Sequence, residues 1–124
     1  MDKAEQSFTH HVSLVISSDF GSYTYWQERA GDVARDTDPA EYQSWHNSLI
    51  YDLADALKEE YTDQWHNALD ATNDPTFREL VTHAMGYVSW PDVARDIVGA
   101  EDCPDEWPDG VSGAYIDYTE NAAE

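Results

Sequence analysis

Basic residues are scarce in this sequence: six Lys or Arg stand against 26 Asp or Glu, which gives a formal net charge of −20. A surface with this excess of negative charge repels the phosphates of nucleic acid and the headgroups of anionic membranes. Direct binding to nucleic acid or to a membrane is therefore not expected. Apolar runs are also short, and none approaches the ~20 residues that a transmembrane helix needs.

Cysteine is nearly absent, since Cys103 is the single one. One cysteine cannot form an internal disulfide or a metal site built from several thiolates. The segment Met1 to Gln6 lacks the basic-then-apolar layout of a secretory signal. We therefore expect a cytoplasmic protein.

Motifs for catalysis and for cofactor binding are missing as well. The five histidines form no H-E-x-x-H pattern, and the acidic stretches that begin at Asp36 and Asp102 do not match an EF-hand loop. No G-x-S-x-G motif or glycine-rich phosphate loop occurs, and the acids around Cys103 disfavour its thiolate. We expect no catalytic residue, no metal site and no cofactor, and hence not an enzyme.

What the chain does contain is enough apolar material for a core, with 41% hydrophobic residues and 16 aromatic ones. Two start signals, Asp38-Pro39 and Asn73-Asp74-Pro75, combine a capping residue with proline at the first helical position. Ser89-Trp90-Pro91 begins another helix, which Gly99 ends. The spacing predicts helices over 8–17, 23–35, 38–61, 73–85 and 89–98, with a further short helix over 62–72. For residues 8–17 the β-branched content leaves a strand as the alternative.

The predicted fold class is all-α, a compact single domain of four to five helices over residues 1–100. Residues 101–124 hold eight acids and no base, and we expect an acidic, partly irregular loop and tail in which 114–118 docks on the domain. Helical spacing also predicts the core. The side chains expected to be largely buried are Trp26, Trp45, Leu49, Leu53, Leu57, Phe77, Leu80 and Trp90.

A row of carboxylates follows one edge of the predicted long helix. Asp52, Asp55, Glu59 and Asp63 are spaced by about 4.5 to 6 Å along the helix axis, and Glu41 and Glu60 lie adjacent. Phosphates on one DNA strand advance by about 3.4 Å per nucleotide, so the row offers a comparable density of negative charge. We predict that these six residues contact a partner.

Two interpretations of this charge remain open. Asp outnumbers Glu by 16 to 10 and Lys occurs twice, a composition typical of salt-adapted proteins in which charge serves solubility. The alternative is a nucleic-acid mimic that occupies the basic groove of a DNA- or RNA-binding protein. In that case the partner is a basic protein or complex, and the mimic is a monomer or a homodimer.

The segment from Asp19 to Ala30 reads D-x(3)-Y-x-YW-x-E-x-A. It resembles a family of small, uncharacterised, acidic proteins encoded by phages and plasmids, and the resemblance extends over about residues 8–98. The resemblance implies an origin in a mobile element, where small acidic proteins that neutralise host defence nucleases recur. It favours an anti-CRISPR or anti-restriction inhibitor acting in the host cytoplasm.

Overall fold

The computed structural model describes residues 3–37, 45–99 and 107–122. All secondary structure in these ranges is helical, which confirms the predicted all-α class. The expected count of four to five helices is too low, because the described ranges contain six. These are α1 (Lys3–Ser18), α2 (Phe20–Asp36), α3 (Trp45–Asp70), α4 (Pro75–Met85), α5 (Trp90–Val98) and α6 (Asp109–Ala122).

Helix α3 is longer at its C-terminal end than the sequence predicts. It runs without interruption to Asp70, so the expected end near Tyr61 and the separate helix over 62–72 are wrong. No proline or glycine interrupts this stretch, and Tyr61, Trp65 and Leu69 continue the four-residue apolar spacing of the helix. The predicted start at Asp38, and Glu41 with it, lies outside the described residues.

The predicted starts of α4 and α5 are confirmed. The Asp74 carboxylate accepts hydrogen bonds from the backbone N–H of Thr76 at 3.0 Å and of Phe77 at 3.4 Å, and Pro75 follows at the first helical position. Helix α5 ends before Gly99, whose φ of 117° lies in a region that favours glycine. The predicted domain boundary at residue 100 lies outside the described residues.

The core lies where the inner face of α3 meets α5 and α2. Leu49, Leu53 and Leu57 are fully buried, as predicted, and pack in one cluster with buried residues of α5 such as Val93. Trp26, Trp45 and Trp90 are buried too, which confirms their assignment. Stacked rings join three helices, because Tyr61 of α3 lies between Trp26 of α2 and Trp90 of α5.

Two predicted core residues are instead exposed. Phe77 is 50% exposed and Leu80 is 65% exposed, and within the described structure α4 contributes no buried side chain. Helical spacing correctly predicts that α4 has an apolar face. It does not predict whether another element covers that face.

Helix α6 replaces the irregular tail that the acidic composition predicts. Val111 and Ala114 are buried against the core, and Trp107, which precedes the helix, stacks on Trp45 with ring centroids 5.7 Å apart. Helices α2 and α6 approach so closely that a Cβ atom on Gly31 would lie 3.0 Å from Cα of Gly110. The apolar residues of this segment recur at helical spacing, but the high density of acids around them led to the prediction of an irregular tail.

Candidate partner-binding groove

An open groove of about 530 Å³ separates the outer faces of α2 and α3. Six carboxylates and one guanidinium line it, together with two small apolar side chains. The lining residues are Arg29, Val33, Asp36, Asp52, Asp55, Ala56, Glu59, Glu60 and Asp63.

The α3 wall of the groove carries five of the six residues predicted to contact a partner. Asp52, Asp55, Glu59 and Asp63 recur every three or four residues, so one face of the helix presents them to the same side. Glu60 lies at the inner edge of this row and also lines the groove. The sixth residue, Glu41, lies outside the described residues.

The α2 wall was not predicted from the sequence. Arg29, Val33 and Asp36 line the groove because they follow each other at helical spacing on one face of α2. Asp36 adds a carboxylate opposite the α3 row. The spacing was visible in the sequence, but nothing in it says that this face of α2 lies beside the acidic edge of α3.

Glu60 is held in place by two groups from α2. Its Oε2 atom lies 3.4 Å from Nε of Arg29, and its Oε1 atom accepts a hydrogen bond from the Tyr25 hydroxyl. This hydrogen bond raises the pKa of the Tyr25 phenol, and burial and the negative charge of Glu60 act in the same direction. Glu60 therefore ties α2 to α3 and is already partnered in the free protein.

Three other carboxylates of the α3 wall remain available to a partner. Asp55, Glu59 and Asp63 are exposed, and none makes a hydrogen bond or ion pair with another described residue. They follow one another at i,i+4 spacing, where like charges each cost roughly 0.2–0.5 kcal/mol of helix stability. A cationic partner would relieve this repulsion.

The floor of the groove differs chemically from its walls. Val33 and Ala56 are half-buried and offer apolar contact between the two acidic walls. Lys and Arg side chains combine an aliphatic stem with a charged head, so their stems suit the floor and their heads suit the walls. The groove is therefore chemically matched to cationic side chains of a protein.

A metal centre or a membrane-spanning helix would be an alternative to the groove. Within residues 3–37, 45–99 and 107–122, no three His, Cys, Asp or Glu side chains are arranged to hold a metal ion. None of the helices in these ranges combines the length and the apolar character that crossing a bilayer requires.

The fold and the groove together define a class: a small all-α domain with a carboxylate-lined cleft between two helices. No protein-family model matches the chain, and comparisons with curated proteins and with solved structures give no significant match. The groove itself is therefore the feature that points to a function.

Proposed function

We propose that this protein is an acidic nucleic-acid mimic that inhibits a basic nucleic-acid-binding host protein, such as a restriction or CRISPR nuclease. The groove carboxylates stand in for backbone phosphates opposite Lys and Arg of the target. From Asp52 to Asp63 the row covers about 16 Å of helix axis, which corresponds to about five phosphate steps of one DNA strand. Asp36 supplies negative charge from the facing helix.

The convergence of six carboxylates on one groove is the observation that carries this proposal. Five of the six acids of α3 line the groove, and Asp36 of α2 lines it with them. Charge that served solubility alone has no reason to converge between two helices. Its convergence favours a partner of opposite charge at that place, where it also accelerates association through steering.

Capture followed by competition tests the mimicry. The immobilised protein is incubated with an extract of the host cell, and the captured protein is then challenged with duplex DNA or with guide RNA. We expect nucleic acid to displace the captured protein, because both ligands occupy the same basic surface. Simultaneous binding of the nucleic acid and this protein to the target would refute mimicry.

A pair of variants with equal net charge tests the groove. The groove triple, Asp55→Asn, Glu59→Gln and Asp63→Asn, removes three available carboxylates. The control triple, Asp32→Asn, Glu120→Gln and Asp96→Asn, removes three exposed carboxylates from three other helices by the same chemistry.

At about 1 kcal/mol per lost charge pair, the groove triple should bind the captured target about 100-fold more weakly. The control triple should bind like the wild type, apart from a small loss of steering. Equal weakening by both triples would mean that total charge, and not the groove, determines binding.

The alternative proposal is an acidic interaction or structural protein adapted to high salt. The excess of Asp over Glu and the presence of just two Lys favour it. In that case the extract yields no target that nucleic acid displaces, and the protein unfolds at physiological salt but folds in molar KCl.

A further inference from the structure

A second cavity, which the proposed function leaves unused, lies where α1 and α5 meet the start of α2. Its volume is about 300 Å³, which is at the lower end of the range for small-molecule sites. At about 30 Å³ for each molecule of liquid water, the cavity has room for an organic molecule of about ten non-hydrogen atoms. We call it the α1–α5 pocket.

The floor of the α1–α5 pocket is apolar. Val93 and Ile97 of α5 and Ile16 of α1 line it and belong to the buried core cluster. Leu14, which also lines the pocket, is 50% exposed and therefore lies at its rim. A lining of this kind suits a ligand with an apolar body, because ligand sites bury most of the surface of their ligand against such side chains.

Polar side chains line the same pocket. His10 and Tyr23 contribute a ring nitrogen and a hydroxyl that can form hydrogen bonds. Ser13 lines the pocket too, and its hydroxyl is one of two buried side-chain polar atoms that have no hydrogen-bond partner among the described residues. A buried hydroxyl without a partner is unfavourable. A ligand in the pocket could supply that partner after a change of the Ser13 χ1 rotamer.

Asp96 decides which charge the ligand should carry. With histidine neutral, its carboxylate is the one formal charge among the described residues that line the pocket. Asp96 is exposed, and its carboxylate makes no hydrogen bond or ion pair with another described residue. The net charge of −20 acts in the same direction. The pocket therefore attracts a cation and repels an anion.

We infer that the α1–α5 pocket binds a small primary amine with an apolar body, about the size of phenethylammonium. The ammonium group pairs with Asp96, and the apolar body packs on Leu14 and Ile97. A ligand of this size in an open pocket should have a dissociation constant in roughly the millimolar range. The inference does not depend on the proposed function, since the pocket shares no lining residue with the acidic groove.

Amide chemical-shift titration of the labelled protein at low salt tests the inference with three probes. Phenethylammonium carries both the charge and the ring, ethylammonium keeps the charge without the ring, and 3-phenylpropanoate keeps the ring but reverses the charge. We expect saturable shifts at residues 10–17 and 93–97 with phenethylammonium alone. Both amines should perturb the acidic groove equally, because any exposed carboxylate attracts a cation.

Two matched pairs of variants test the contacts. Asp96→Asn and Asp32→Asn each remove one exposed carboxylate, and Leu14→Ala and Val15→Ala each truncate an exposed apolar side chain of α1. Asp32 and Val15 do not line the pocket and serve as the controls. All four side chains are exposed, so the variants should keep the fold.

The first member of each pair should bind phenethylammonium more weakly than its control. We expect Asp96→Asn to raise the dissociation constant about three- to fivefold and Leu14→Ala to raise it about threefold, while both controls bind like the wild type. The inference is overturned if no saturable shift occurs at residues 10–17 and 93–97, or if 3-phenylpropanoate or ethylammonium binds there as well as phenethylammonium. Equal binding by the two members of either pair would overturn it too.

Discussion

Helices α3 and α4 are both amphipathic, yet the chain uses their faces in opposite ways. The apolar stripe of α3 is buried against α5 and α2, and its charged edge lines the groove. The apolar pair of α4 faces solvent, and its charges balance. Amphipathicity therefore identifies a helix with two faces, while the position of neighbouring helices decides which face meets solvent. In this protein the two helices separate the acidic surface from the neutral one.

The sharpest contrast between the two helices concerns their leucines. Leu53→Ala in α3 should cost about 2–5 kcal/mol of unfolding free energy, because the side chain is fully buried and its loss leaves a cavity. Leu80→Ala in α4 should change it by no more than about 0.5 kcal/mol, since the side chain is 65% exposed. Urea titration followed by circular dichroism measures both. A cost above about 2 kcal/mol for Leu80→Ala would show that α4 belongs to the core after all.

The contact between Gly31 of α2 and Gly110 of α6 should give the next largest effect. Gly31→Ala places a Cβ 3.0 Å from Cα of Gly110, so the backbone of α6 must give way by a few tenths of an ångström. We expect a loss of about 1–3 kcal/mol, measured by thermal or urea unfolding.

Gly113→Ala is the matched control, because a Cβ there meets no described atom within 4 Å. It lies inside α6 and should stabilise the protein by about 0.5–1 kcal/mol. If the two variants change stability in the same direction, α2 and α6 do not pack as described.

A smaller effect concerns repulsion along the acidic wall. At low salt the groove triple should be more stable than the wild type by about 0.4–1 kcal/mol, because it removes two like-charge i,i+4 pairs. The gain should fade in about 1 M KCl, where the Debye length is about 3 Å. The control triple, whose positions lie on three different helices, should gain less at low salt. Urea unfolding at the two salt concentrations measures this gain. An equal gain for both triples would mean that stability depends on the net charge of the protein and not on the positions of the charges.

The smallest expected effect is a shift in a single titration. The hydrogen bond to Glu60 raises the pKa of Tyr25 above its usual value of about 10, and Glu60→Ala should return it towards that value. Because the folded pKa is the higher one, the associated stability is present below about pH 10 and is lost as pH rises through the folded pKa.

Carbon-13 NMR of the tyrosine rings follows this titration. Tyr61 should shift less than Tyr25, because burial is the main cause of its own raised pKa and persists in the variant, while the negative charge of Glu60 is a smaller cause. An unchanged Tyr25 titration in Glu60→Ala would mean that the contact between α2 and α3 at Glu60 does not form in solution.

Local signals in the sequence predicted local structure well. The caps at Asp74 and Gly99 and the buried stripe from Leu49 to Leu57 follow from neighbouring residues alone. The α3 row of the groove was likewise predicted, because helical spacing places its carboxylates on one face.

The parts that failed depend on contacts between distant segments. The exposure of Phe77 and Leu80, the close approach of α6 to α2 at Gly110 and the Arg29 side of the groove all require knowing which helices are neighbours. One sequence provides no such information. Composition also misled the prediction for residues 107–122, since the acids there lie on the outer side of a helix whose inner side is apolar.

Amide chemical-shift mapping with the captured target tests the central claim most directly, namely that the acidic and neutral surfaces have separate roles. Titration of the labelled protein with its target should shift the amides of Asp52–Asp63 and Arg29–Asp36 first and most strongly, and should leave those of α4 unchanged. The shifts should weaken with added KCl, since the contacts are between charges. Shifts centred on Phe77 and Leu80, or spread evenly over all six described helices, would contradict the account.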